Sequence, residues 1–193
     1  MSIRDRVTLT GDETTAETST SSPWASRSLA VLRIATGLVF LWAFADKVFG
    51  LGYATPAERS WINGGSPTNG FLGHVSVGPF ESTFQAWAGA AWADWLFMLG
   101  LAAIGIAAIA GVGLRLAAGS ATVMMLLMWA AEWPLDQTTS AGEPSGSTNP
   151  LVDYHLIYAI ALIVCAATAA GTTWGLGRVW EKLPIVRANP WLK

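Results

Sequence analysis

Charge is scarce in this sequence: only 12% of its 193 residues are Asp, Glu, Lys or Arg, against roughly 25% in an ordinary soluble domain. A conventional water-facing surface is therefore excluded. The formal net charge is −2, and no basic run or RNA-binding signature occurs, which excludes nucleic acid as a partner. Cysteine is scarcer still. Cys165 is the only one, so an intramolecular disulfide and a cysteine-cluster metal site are both ruled out. Inside its apolar run it reads as a small, inert buried thiol. No H-x-x-x-H or E-x-x-H spacing is present, and no metal site is expected. Flavin, nicotinamide and haem motifs are also missing.

What the sequence does have is apolar length. Hydrophobic residues make up 52% of the chain and eleven are tryptophan, a ring that settles at the headgroup boundary of a bilayer. The pattern predicts an all-α integral membrane protein, a four-transmembrane-helix bundle over residues 28–177, with spans at about 28–49, 92–113, 115–133 and 150–175. The first, "SLAVLRIATGLVFLWAFADKVF", is about as long as a bilayer core is thick, roughly 31 Å at 1.5 Å per residue. Ala43-Phe44-Ala45 has the form of a signal-peptide cleavage site, but the polar lead is long and the apolar run exceeds the usual signal length. Residues 1–27, with "TLTGDETTAETSTSS", are too polar to bury a core and are read as a disordered cytoplasmic tail.

The connector after the first span should form a short interfacial helix from Pro56 to Trp61 or Ile62, capped at Thr55 and stopped by Gly64-Gly65. Ala103, Ala107 and Gly111, four apart, make a small-residue stripe suited to close helix approach. Asn149 and Pro150 read as the cap and first turn of the fourth span. Residues 178–193 are a basic, aromatic tail.

Four spans place both termini on one side. Nine of the eleven basic residues fall there, leaving Lys47 and Arg59 on the other side, which carries eight of the thirteen acidic residues. The positive-inside rule then makes both termini cytoplasmic. The same topology gathers Asp46, Lys47, Asp94, Glu132, Asp153 and His155 at one membrane depth, beside Trp129, Trp133 and Tyr158. Ionisable and aromatic groups at converging helix ends suit a site between bundle helices.

Each residue also has a plain structural reading. Asp153 would be favourable at a helix start through the dipole alone, Lys47 can snorkel, and Asp46 and Glu132 suit a wet boundary. His155 differs, because histidine ordinarily titrates near neutral pH. Met124, Met125 and Met128 read as packing. On the cytoplasmic side Arg33, Arg115, Arg178, Lys182 and Arg187 suit contacts with a partner protein or anionic lipid, and Arg33 should pair with a carbonyl, a headgroup or a partner. A transporter is a poor fit without broken helices or repeats.

Four stretches together, "RIATGLVFLWAFADKVFG", "WINGGSPTNGFL", "GLRLAAGSATVMMLLMW" and "NPLVDYHLIYAIAL", resemble the DoxX/DoxD family of small four-helix membrane proteins, over about residues 28–177 and most closely its longer actinobacterial form. The resemblance implies a bacterial plasma-membrane protein related to the membrane subunit of thiosulfate:quinone oxidoreductase. It also implies an alternative, an anchor for a membrane or soluble redox or sulfur-transfer partner, and it leaves a homo-oligomer open. Arg33 and Lys47 match the family's usual arginine and lysine on the first helix. The glycine usual shortly before that lysine is absent, where Ala43, Phe44, Ala45 and Asp46 stand.

Thiosulfate is a dianion, and the carboxylates on the face opposite the termini would repel it. A quinone of the menaquinone type fits better, because its reduction consumes protons and its ring wants aromatic walls. In that expectation Asp153 and His155 relay protons and Lys47 neutralises the reduced headgroup. Asp46, Asp94, Glu132, Tyr158, Trp129 and Trp133 line its pocket.

Overall fold

The computed structural model describes residues 22–193; the expected N-terminal tail, with Arg4 and Arg6, lies outside the described residues except for its last few positions. The described chain is all-helical. Its helices are α1 (Pro23–Phe49), α2 (Asn69–Leu72), α3 (Glu81–Trp87), α4 (Ala91–Ala110), α5 (Leu114–Glu132), α6 (Tyr154–Ala167), α7 (Gly177–Trp180) and α8 (Pro184–Ala188). No strand occurs among the described residues; one isolated antiparallel bridge joins Thr138 and Pro144.

Three of these helices, α1, α4 and α5, are long and apolar enough to cross a membrane by length and composition. α6 is apolar but has only 14 residues, about 21 Å of rise. α1 packs on α4 and α6, and α5 packs on the same two helices, so the four close into a ring. Phe40, Met98, Leu101, Ile104, Met125 and Leu162 fill its centre. Branched apolar side chains such as Leu96, Leu99, Val123, Ile157 and Ile160 point outward, the arrangement expected of helices whose solvent is lipid.

Sequence signals place most helix ends. Pro23 at the first position starts α1 five residues before the expected Ser28, because its fixed φ and missing N–H cost nothing there. Gly50 ends that helix with φ 65°, its N–H donating to the Asp46 carbonyl. Gly111 and Gly113, with φ 72° and 56°, let the chain reverse between α4 and α5 within three residues.

Three expectations need correction. The connector forms two consecutive 3-10 turns, Ala57–Arg59 and Trp61–Asn63, in place of one helix from Pro56, with no side chain capping either. The fourth helix is capped by Asp153, not Asn149: Asp153 is extended and its carboxylate accepts from the N–H groups of His155 and Leu156. Asn149 Oδ1 instead accepts from Leu151 and Val152 N–H in a preceding turn. Finally, the small-residue stripe is not one continuous helix seam: Ala103 is exposed, while Gly111 meets the backbone of Gly171 beyond α6. α1 and α4 meet backbone to backbone at Gly37 and Gly105, where a Cβ would lie 3.0 Å from Ile109 N and 2.8 Å from Leu41 N respectively.

Candidate functional site

The bundle end formed by the C-termini of α1 and α5 and the N-termini of α4 and α6 carries the expected polar groups. It is the loop end, opposite the termini end. At its centre is His155, 1% exposed. The same carboxylate that caps α6 through Oδ1 brings Oδ2 to 2.8 Å from His155 Nδ1. Glu132, the last residue of α5, places Oε2 at 3.9 Å from that nitrogen, and its Oε1 accepts from the Tyr154 hydroxyl at 2.7 Å. The Tyr154 ring covers the imidazole at 4.0 Å between centroids.

In the tautomer that donates from Nδ1 to Asp153, Nε2 is an acceptor. Nε2 is buried and has no partner among the described residues. Trp129 Nε1, three residues before Glu132 and on the same face of α5, is a buried donor without a partner. Each such atom costs about 1–3 kcal/mol when left bare. One acceptor and one donor near the same helix pair are what a bound polar ligand would satisfy. Tyr158 extends the wall, edge-on to Phe40 at 6.5 Å and to Tyr154 at 6.1 Å. Trp133 ends α5 with φ 36° and packs 5.7 Å from Trp129 and 6.0 Å from Phe80.

Lys47 follows Phe40 and Phe44 along the inner stripe of α1. Its ammonium lies 5.9 Å from the Phe97 ring of α4. Among the described residues no carboxylate comes within salt-bridge distance of it, and no hydrogen bond or ion pair joins it to His155 or Asp153. Asp46 is turned away: its carboxylate accepts from Tyr53 N at 3.3 Å and Ala54 N at 3.0 Å, fixing the chain as it leaves α1. Asp94 accepts from Ser66 Oγ, Thr68 N and Thr68 Oγ1 at 2.9, 2.9 and 2.6 Å, tying the connector to the first turn of α4. Both are buried and tied to the connector, Asp46 through both carboxylate oxygens and Asp94 through Oδ1.

Arg33 is fully buried. Its guanidinium donates to the carbonyls of Ala108 and Ile109 at the end of α4, and to those of Ala170, Thr173 and Trp174 beyond α6. Of the three partners foreseen for it, the carbonyl is the one it takes. Arg115, Arg178 and Lys182 are exposed at the termini end. Arg115 donates to the Pro190 carbonyl at 3.0 Å.

Spacing along one helix could not show that Glu132, Asp153 and His155 each bring a ligand atom within 4.8 Å of the others. Glu132 comes from a different helix, and His155 Nδ1 is already engaged by Asp153. Tyr154, not among the expected site residues, is part of the site; its place beside His155 was the available signal.

These features define an all-helical protein with membrane-length helices and a buried imidazole and carboxylate group at one end of its bundle. Comparison of the chain with family models, with curated proteins and with solved structures returns no match.

Proposed function

We propose that this chain is a four-span bacterial plasma-membrane protein, DoxX-like, that engages the headgroup of a menaquinone-type quinone as a redox-associated subunit of the kind found in thiosulfate:quinone oxidoreductase. The fourth crossing is α6, continued by the turn at Ala170–Thr172. The excess of basic residues at the termini end supports cytoplasmic termini.

One observation carries the reading: His155 is buried with Nδ1 held by carboxylate and Nε2 bare. A quinone presents carbonyl acceptors and, when reduced, hydroxyl donors. Trp129 Nε1 and His155 Nε2 are the donor and acceptor that would hold them, with Tyr158 and Trp133 as aromatic walls. The quinone supplies the electron-accepting chemistry when bound. The protein's part is to move a proton at Nε2, while Asp153 and Glu132 stabilise the imidazolium through Nδ1. Lys47, without a salt-bridge partner among the described residues, offsets negative charge on the reduced headgroup. Electrons come from a partner or substrate.

The anchor reading is favoured by a separate feature. Arg178, Lys182 and Arg187 are all exposed on and between α7 and α8, a basic surface for a soluble partner.

The test is extraction from the native membrane under mild conditions, with quinone and proteins per chain measured by mass spectrometry. Near-stoichiometric quinone is expected, abolished in His155→Ala at unchanged yield. Equal loss of quinone and yield, or a stoichiometric partner with no quinone, would contradict the quinone reading.

A further inference from the structure

Between α4 and α5 the bundle opens sideways. Gly100, Ala103, Gly119 and Ser120 lack the side chains to fill the space and leave a groove of about 1040 Å³. It is separate from the site above: His155, Asp153, Glu132 and Trp129 do not line it. It follows α4 from Trp92 to Ile104 and α5 from Met128 to Arg115, about 18 to 20 Å at 1.5 Å per residue.

The two ends of the groove differ. At the loop end Phe71 and Leu72 of α2 and Phe84 and Trp87 of α3 form part of its lining, and Asp94 holds that segment down through Thr68. At the termini end the groove meets Arg115, the one charged side chain among its lining residues, with Trp191 beside it. Arg115 is exposed, and its side-chain bond to Pro190 O leaves guanidinium donors for a phosphate.

We infer that this groove binds one anionic phospholipid of the cytoplasmic leaflet, its phosphate on Arg115, its glycerol region beside Trp191 and one acyl chain running toward α2 and α3. The leaflet rests on the orientation proposed above; the groove itself does not depend on quinone binding. Length and charge choose this occupant. A spanning helix from a partner or second copy needs about 30 Å of apolar wall, and α2 and α3 close the groove before that. An inner-leaflet acyl chain enters from the open side and needs only the shorter length. Positive charge at the headgroup end and none elsewhere in the lining complements an anionic headgroup.

The experiment is native mass spectrometry and thermal unfolding of the full chain, delipidated and then given phosphatidylglycerol or phosphatidylcholine of the same chain length. One phosphatidylglycerol per chain is expected, preferred over phosphatidylcholine by roughly fivefold to tenfold and raising the unfolding temperature. Arg115→Gln, at an exposed position, should erase the preference while chains are still retained. Gly119→Phe should abolish retention of both lipids. A Cβ at Gly119 meets nothing within 4 Å, so the ring enters the groove and not a neighbour. Quinone retention should be unchanged in both variants, which separates this inference from the preceding one. Equal retention of the two lipids by the natural chain, indifference to Gly119→Phe, or a dimer that Gly119→Phe dissociates would each overturn it.

Discussion

The two ends of the bundle bury polar side chains in opposite ways. At the termini end Arg33 stands in the apolar interior with no counter-charge among the described residues, yet its guanidinium nitrogens reach five carbonyls at the end of α4 and in the segment after α6. The cation lies where two chain segments expose the negative ends of their peptide dipoles, and glycines keep the path open: a Cβ on Gly111 or Gly175 would come within 3.1 Å of its nitrogens. At the loop end His155 is just as buried, but only half of its ring is used. A satisfied buried charge fixes helices in place, whereas an imidazole with one bare nitrogen is stable only if the rest of the fold compensates for it. The first arrangement is structural, and the second is where chemistry can occur.

This contrast breaks most readily at Arg33. Arg33→Met should leave the carbonyl cage empty and cost on the order of 3–5 kcal/mol, read as a large fall in unfolding temperature or in yield. An unchanged transition would mean that the cage does not hold α1, α4 and the segment after α6 together. A smaller effect is expected at Asp94, which belongs to the loop end and accepts three hydrogen bonds through Oδ1. Asp94→Ala should cost about 1–3 kcal/mol by stranding Thr68 N and its neighbours, and should open the connector to protease while quinone binding persists. Loss of quinone with an intact connector would move Asp94 into the site.

Much of the scaffold was legible because hydropathy reports helices directly. The starts of α4 and α5 fall within a residue of expectation, since a run of apolar residues between glycines allows little else. The expected span runs past the end of α6 because residues 168–175 carry no charge or proline to mark a stop; what ends the helix is Ala169 at φ 50° and the pull of Arg33 on the following carbonyls. No window of sequence contains that contact. α2 and α3 were missed because helices of four and seven residues are held by packing of Val75 and Phe84 on Ala131, not by their own periodicity.

In the site, Asp153 and His155 are two residues apart and their pairing could be read locally. Asp46 and Asp94 could be placed at helix ends, but not their bonds to loops 7 and 26 residues away. The groove left no signal of its own, because Gly and Ala on a membrane helix serve equally for contact and for open space.

The bare Nε2 of His155 is the central claim, and nitrogen-15 spectra of histidine-labelled protein in lipid nanodiscs test it most directly. The account predicts a proton on Nδ1, an unprotonated Nε2 and a change at Nε2 when menaquinone is added. An imidazole protonated at Nε2, or one indifferent to excess menaquinone, would contradict it.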